Sequence, residues 1–270
     1  MRIPDVRFPE RGASALATLL RYERWKSRPA AAPVVFADVQ RGNVTHWMAK
    51  SEGNLIAGPA AAAILREYGI RGPGEALVRT ADEAAEWARR FGYPVALKVA
   101  SADILHKSDV GGVALDLADA DAVRRAFKRV VDSAQQARPD ARIEGVSVQQ
   151  MVLEGQEVIL GAVRDAQFGP LAMFGSGGVE VEGQRDVSFG LAPLSRGEAE
   201  EMVEATFAGR RLLGYRNLPP ADREAAIDAL LRLAQFAADY PQVAEVEINP
   251  LRVQPRGRGA LALDVRIVLR

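Results

Sequence analysis

The chain has 270 residues, 48% hydrophobic and 26% charged, with 35 basic residues balanced by 35 acidic ones; that balance gives no electrostatic reason to bind nucleic acid or a membrane surface. It has no cysteine, which excludes disulfides, thiolate nucleophiles and Cys-based metal sites. The two histidines, His46 and His106, are too few for a His-rich metal site. No apolar run approaches the ~20 residues of a membrane span, and the start, MRIPDVRFPERG, lacks the apolar core of a signal peptide. The expectation is a cytoplasmic enzyme without nucleic-acid or membrane partners.

In chain order, an amphipathic helix carrying Leu16, Leu19, Leu20 and Tyr22 ends before Arg28-Pro29. Residues 29–58 have weak periodicity and scattered Gly and Pro, and read as a linker, with the HWM at 46–48 as an anchor for it. Pro59 opens a helix that Gly69 closes. Strands and helices then alternate. Thr80 and Glu83 form a capping box for a helix that stops at Gly92. VALKVA at 95–100 is a buried strand, followed by a loop at 101–112, a strand GVALDL and a helix over about 121–137. VSVQQMV and QEVILGAVR read as an antiparallel pair, and PLAMF and GVEVEG as two strands about a glycine turn. Ser195 and Glu198 repeat the capping pattern, and the next helix carries Ile227, Leu230, Leu231 and Ala234. The chain closes on VAEVEI, LRVQ, a PRGRG turn and ALALDVRIVL, a hairpin. Antiparallel hairpins mixed with helices make this an α+β pattern.

Several residues in this frame could carry chemistry. Lys98 sits in an apolar strand whose Leu97 and Val99 must face the opposite side; it is either an edge lysine in water or a point charge held over a phosphate. The loop SADILHKSDVGG joins His106 and Lys107 to Gly111 and Gly112, whose backbone can approach a phosphate closely; a polar surface turn is the plain alternative. FGSGG at 174–178 is explained equally by a tight hairpin. In EVEINP, Glu245, Glu247 and Asn249 alternate onto one strand face, with Asp264 on the returning strand. These oxygen donors suit Mg²⁺ better than a soft metal. A cation, a glycine loop and oxygen ligands together fit a nucleoside triphosphate.

Taken in order, PVALKVAS, ILHKSDVGGV, VSVQQMV, GQEVILGAVRDAQFGP, FGSGG, EVEINPL and LALDVR resemble the successive motifs of the ATP-grasp subunit of NDP-forming acetyl-CoA synthetases, with the succinyl-CoA synthetase β-subunit a more distant relative. The resemblance covers roughly residues 59 to 270. It implies an ATP-grasp fold of two α/β lobes with ATP or ADP bound between them, and Mg²⁺ as cofactor. It also implies Lys98 as the phosphate-contacting lysine, Gln149, Gln150 and Met151 as the strand beside the adenine, and Glu157 as the nucleotide-site acid. Gly111 and Gly112 fall in the phosphate loop. Asn249 and Asp264 match the metal ligands, with Glu247 close by, and His106 matches a histidine proposed to relay the phosphoryl group. Residues 1–28 resemble the end of a CoA-ligase domain, whose remainder is missing. The resemblance therefore implies a CoA-binding, α-like ligase partner and a hetero-oligomer. GVEVEGQRDV and GYRNLPP depart from the family pattern. The alternative is a non-catalytic, regulatory ATP-grasp-like domain; Lys98, His106, Asn249 and Asp264 together argue for the enzyme.

Overall fold

The computed structural model describes residues 8–27, 31–49, 53–101, 103–104, 107–177 and 186–270. The chain divides into two compact units, Met1–Ala32 and Pro33–Arg270. In the first, helix α1 (Pro9–Lys26) has Glu10 in its first turn and Arg24 and Lys26 in its last, complementing the helix dipole. Its Leu16, Leu19 and Leu20 are exposed. Among the described residues no helix is long and apolar enough to cross a membrane.

The second unit contains two antiparallel sheets. The smaller has strands β2 (Glu75–Val78), β3 (Val95–Ala100), β4 (Val113–Leu117) and β5 (Gly145–Gln150) in the order β2-β5-β3-β4. Helices α4 (Ala81–Phe91) and α5 (Ala120–Ala137) cover one face. Strand alternation explains which face: Val95, Leu97, Val146 and Val148 are buried against Ala84, Ala88, Val123 and Val130 of the helices. Glu75, Lys98, Ser147 and Gln149 are left on the opposite face. Thr80 begins α4 with the expected capping box, accepting from the Glu83 N–H while the Glu83 side chain reaches back.

The larger sheet joins β1 (Leu55–Ala57), β6 (Gln156–Asp165), β7 (Gly169–Ser176), β8 (Val187–Leu191), β9 (Val243–Val253) and β11 (Val265–Leu269) in the order β1-β11-β9-β6-β7-β8, with β10 (Ala260–Ala262) paired to β9. Helix α8 (Arg223–Asp239) buries Ile227, Leu230, Leu233 and Phe236 in the core shared with Val158, Leu160, Phe174, Val246 and Ile248. The C-terminal hairpin keeps one register from Ala260 opposite Val253 through Val265 opposite Ile248 to Val268 opposite Glu245, and shifts only at Leu269. Between them the chain bends at Leu263–Asp264, directly across from Asn249–Pro250.

Two organisational readings differ from the structure. The segment expected as a linker, 29–58, carries helix α2 (Arg41–Ala49), whose Val44 and Met48 are buried in the main core, and edge strand β1, which pairs with β11. Few apolar residues are enough because the docking partners are large: Gln235 of α8 accepts the Phe36 N–H at 2.7 Å, and Arg232 stacks on the Phe36 ring. The strands VSVQQMV and QEVILGAVR are not partners. β5 lies between β2 and β3 in the small sheet, and β6 between β9 and β7 in the large one. The strand expected in GVEVEG lies outside the described residues; β7 pairs with β6 on one side and β8 on the other.

Candidate nucleotide site between the two sheets

The open face of the small sheet looks onto the bend of the C-terminal hairpin. Lys98 Nζ donates to the Leu263 carbonyl at 3.3 Å, and Gln149 Nε2 donates to the same oxygen at 3.0 Å. Register explains the pairing: Lys98 lies opposite Ser147 and Ala96 opposite Gln149, so the lysine and the glutamine are diagonal neighbours on one face. Lys98 is half-buried, as a lysine on an inner face must be, and among the described residues no carboxylate pairs with it. It is therefore not an edge lysine in bulk water.

Beside this contact opens a cavity of about 920 Å³, lined by Lys98, Ser147 and Glu75 on one side and by Leu263 and Asp264 on the other. Lys107 and Arg79 add positive charge to the wall. The Asp264 carboxylate is left uncommitted by its obvious partners. Arg252 is bound to Glu157 at 2.6 Å, and Arg266 to Glu247 at 2.8 Å and to Glu245. The Asn249 N–H donates to the Asp264 carbonyl at 3.0 Å, which puts the two side chains at facing positions of the hairpin.

Asp264 and the Asn249 amide oxygen are thus the donors that could hold Mg²⁺. Asn249 Nδ2 donates to Glu247 Oε1 at 3.1 Å, turning the amide oxygen away from Glu247. Both Glu247 oxygens are engaged, so Glu247 stands behind the site. Among the described residues no group of three or more His, Cys, Asp or Glu could hold a metal ion. One carboxylate and one amide fit Mg²⁺ that completes its octahedron with phosphate oxygens and water.

The other expected residues lie beyond the cavity wall. Gln150 donates to the Phe91 carbonyl at 2.9 Å, and the Met151 sulfur accepts the Asp116 N–H at 3.1 Å, so both side chains turn back onto the small sheet. Glu157 is tied to Arg252 across β6 and β9. The Gly111 and Gly112 amides close their own loop, on Ser108 and Lys107 carbonyls at 3.1 and 2.8 Å. Gly111 is left-handed, with φ of 66°. A side chain at Gly112 would meet Val99 at 2.5 Å. These two glycines have a packing reason that needs no anion. His106 lies outside the described residues.

Glu75 and Ser147 were not read from the sequence. Ser147 is buried, and its hydroxyl donates to Glu75 Oε1. Burial pushes the Glu75 carboxyl above its ordinary range, while the Ser147 hydrogen bond and the Lys98 charge pull the other way. The available signal was Ser147 itself, a hydroxyl inside the apolar run VSV.

Lys98 in an apolar strand, a cavity between two antiparallel sheets and the Asp264 carboxylate on its wall make this the candidate ligand site. The sequence pattern of the ATP-grasp domain matches residues 48–269. The chain belongs to the ATP-grasp family. Within it, this ATP-grasp chain is 38% identical over 221 residues to the β subunit of an ADP-forming acetate–CoA ligase I from Pyrococcus furiosus, covering 82% of this chain and 94% of that one. It is 40% identical over 269 residues to the ADP-forming acetate–CoA ligase I of Archaeoglobus fulgidus, but spans only 39% of that longer protein and 99% of itself. The ATP-grasp fold also superposes, with a TM-score of 0.72 and 36% identity, on the dinucleotide forming acetyl-coenzyme A synthetase 1 of Ca. Korarchaeum cryptofilum. That match covers 85% of this chain and 99% of the other. The other structure was solved with coenzyme A and Mg-AMPPCP, its phosphohistidine segment pointing towards the nucleotide binding site.

Proposed function

We propose that the chain is the nucleotide-binding component of an ADP-forming acid–CoA ligase, in which acid, CoA and ATP give acyl-CoA, ADP and phosphate. The observation that carries this reading is that Lys98 and Asp264 line one cavity with no ion pair to either among the described residues, in a chain related along nearly its whole length to such ligases.

Lys98 holds the phosphates, exchanging the Leu263 carbonyl for a charge-assisted contact. Gln149, Gln150 and Met151 form the strand beside the adenine; the Gln150 and Met151 side chains are already engaged, and their N–H groups donate to the Gly74 and Pro94 carbonyls at 2.8 and 3.3 Å. Glu157 is the nucleotide-site acid. Asp264 and Asn249, backed by Glu247, hold Mg²⁺, which when bound neutralises charge on the transferred phosphoryl group. Gly111 and Gly112 shape the loop that carries His106.

In the forward direction the lone pair of a histidine ring nitrogen attacks the γ-phosphorus. A P–N bond forms, the P–O bond to the β-phosphate breaks, and ADP leaves with the electron pair. The accepting histidine belongs to a CoA-binding ligase domain or subunit, so the working enzyme is a hetero-oligomer or a larger chain. His106 serves as the relay.

The test is an assay of the purified chain with ATP, CoA and a panel of acids, with and without a CoA-binding partner. Mg-ADP binding without acyl-CoA formation is expected of the chain alone, and acyl-CoA appears when the partner is added. With the partner present, His106→Ala keeps nucleotide affinity and loses transfer of labelled phosphate. Acyl-CoA formation by the chain alone, or no nucleotide binding, contradicts the reading.

A further inference from the structure

Glu75, on the inner face of the small sheet, is an ionisable group that the proposed reaction does not use. Glu75 opens β2, directly across from Gln149 of the central strand β5. Lys98 occupies β3 on the other side of β5, opposite Ser147. Glu75 and Lys98 therefore flank one polar pair, Ser147 and Gln149. That pair is committed in both directions: the Ser147 hydroxyl donates to Glu75, and the Gln149 amide donates to the carbonyl that also receives Lys98. The second Glu75 oxygen, Oε2, has no protein donor among the described hydrogen bonds, and Glu75 is among the residues that line the cavity.

The charges around Glu75 come from three other elements. Lys98 on β3 and Lys107 in the β3–β4 loop favour its ionised form; Asp264, from the hairpin bend, opposes it. A strand residue placed only to fill this face would be apolar, like its neighbour Leu77. Instead a buried serine is spent on holding a carboxylate within reach of the lysine's field.

We propose that Glu75, held by Ser147, is a positioning residue for Lys98, balancing its charge in the empty cleft and competing for it with the incoming phosphates. This rests on the reading of Lys98 as the phosphate-binding lysine. Its consequence is a coupling between nucleotide affinity and the charge on Glu75. Phosphates arriving at Lys98 bring negative charge close to the carboxylate, which then favours its neutral form. Because burial already raises the carboxyl's pKa, the proton is taken up at a higher pH than for an exposed glutamate. The sign follows: protonated Glu75 leaves Lys98 wholly to the phosphates, so affinity is greatest at low pH and falls as Glu75 ionises.

The experiment measures ADP affinity by calorimetry in EDTA for the wild-type chain and for Glu75→Gln, across pH 5 to 8. The ratio of the two affinities is the readout, since titration of ADP itself cancels. The Glu75→Gln variant should bind ADP more tightly than wild type at pH 8, by on the order of 3- to 10-fold, and the two should converge towards pH 5. Ser147→Ala, which leaves the charge but frees the carboxylate, should move the pH at which they converge. A ratio that stays at one across the range, or tighter binding by wild type, overturns the role of Glu75 alone. A wild-type chain that binds no ADP overturns the nucleotide reading and this role with it.

Discussion

The two sheets treat their inner-face charges in opposite ways. On the large sheet, Glu157 is bound to Arg252, and Glu245 and Glu247 to Arg266. These pairs lie along neighbouring strands, where register brings opposite charges together. On the small sheet, among the described residues, Lys98 has only a carbonyl and Glu75 only a hydroxyl. Asp264 is the one inner-face carboxylate of the hairpin bend without a described ion pair. Charges matched within a sheet need no ligand; charges that face each other across the cleft are left for one.

That contrast orders the expected effects. The largest belongs to Lys98→Ala, which should weaken ADP binding by roughly 1.5–3 kcal/mol, the worth of a charge-assisted contact. The fold should be retained, because no core residue depends on the ammonium group. Calorimetric titration with a parallel thermal melt measures both, and unchanged affinity in a folded variant would make Lys98 a bystander. The smaller effect is that of Glu245→Gln, at the paired end of the large sheet. Its side chain is 40% exposed, so the lost pair should cost about 1 kcal/mol of stability at most. ADP affinity should equal that of wild type; a drop comparable with that of Lys98→Ala would dissolve the distinction between the sheets.

The same contrast governs what could be read before folding. Period-two alternation in VALKVA assigned Lys98 to the face opposite Leu97 and Val99, and the small-sheet core follows it. The capping boxes at Thr80 and Ser195 are local and hold in the structure. The PRGRG turn brings Asp264 back to Asn249 as its hairpin requires. Alternation gives a strand its faces but not its partners, so β5 and β6, adjacent in sequence, were read as a pair and belong to different sheets. Helix α2 and strand β1 were hidden because each is short and is held by contacts with distant residues, α2 through Arg41 with Asp239 and Tyr240 and β1 through its pairing with β11. Glu75 was missed for a related reason: its strand β2 is four residues long and rests on pairing with the distant β5, so neither the strand nor its inner face could be read locally.

The facing of Lys98 and Asp264 is tested most directly by a magnesium titration of ADP binding to the wild-type chain and to Asp264→Asn. The substitution keeps the shape and removes the charge. Wild-type affinity should rise with Mg²⁺, and the variant should lose most of that rise while binding ADP in EDTA at least as well as wild type. If both proteins show the same Mg²⁺ dependence, Asp264 does not face a metal-bound nucleotide, and the site assigned to this cleft is wrong.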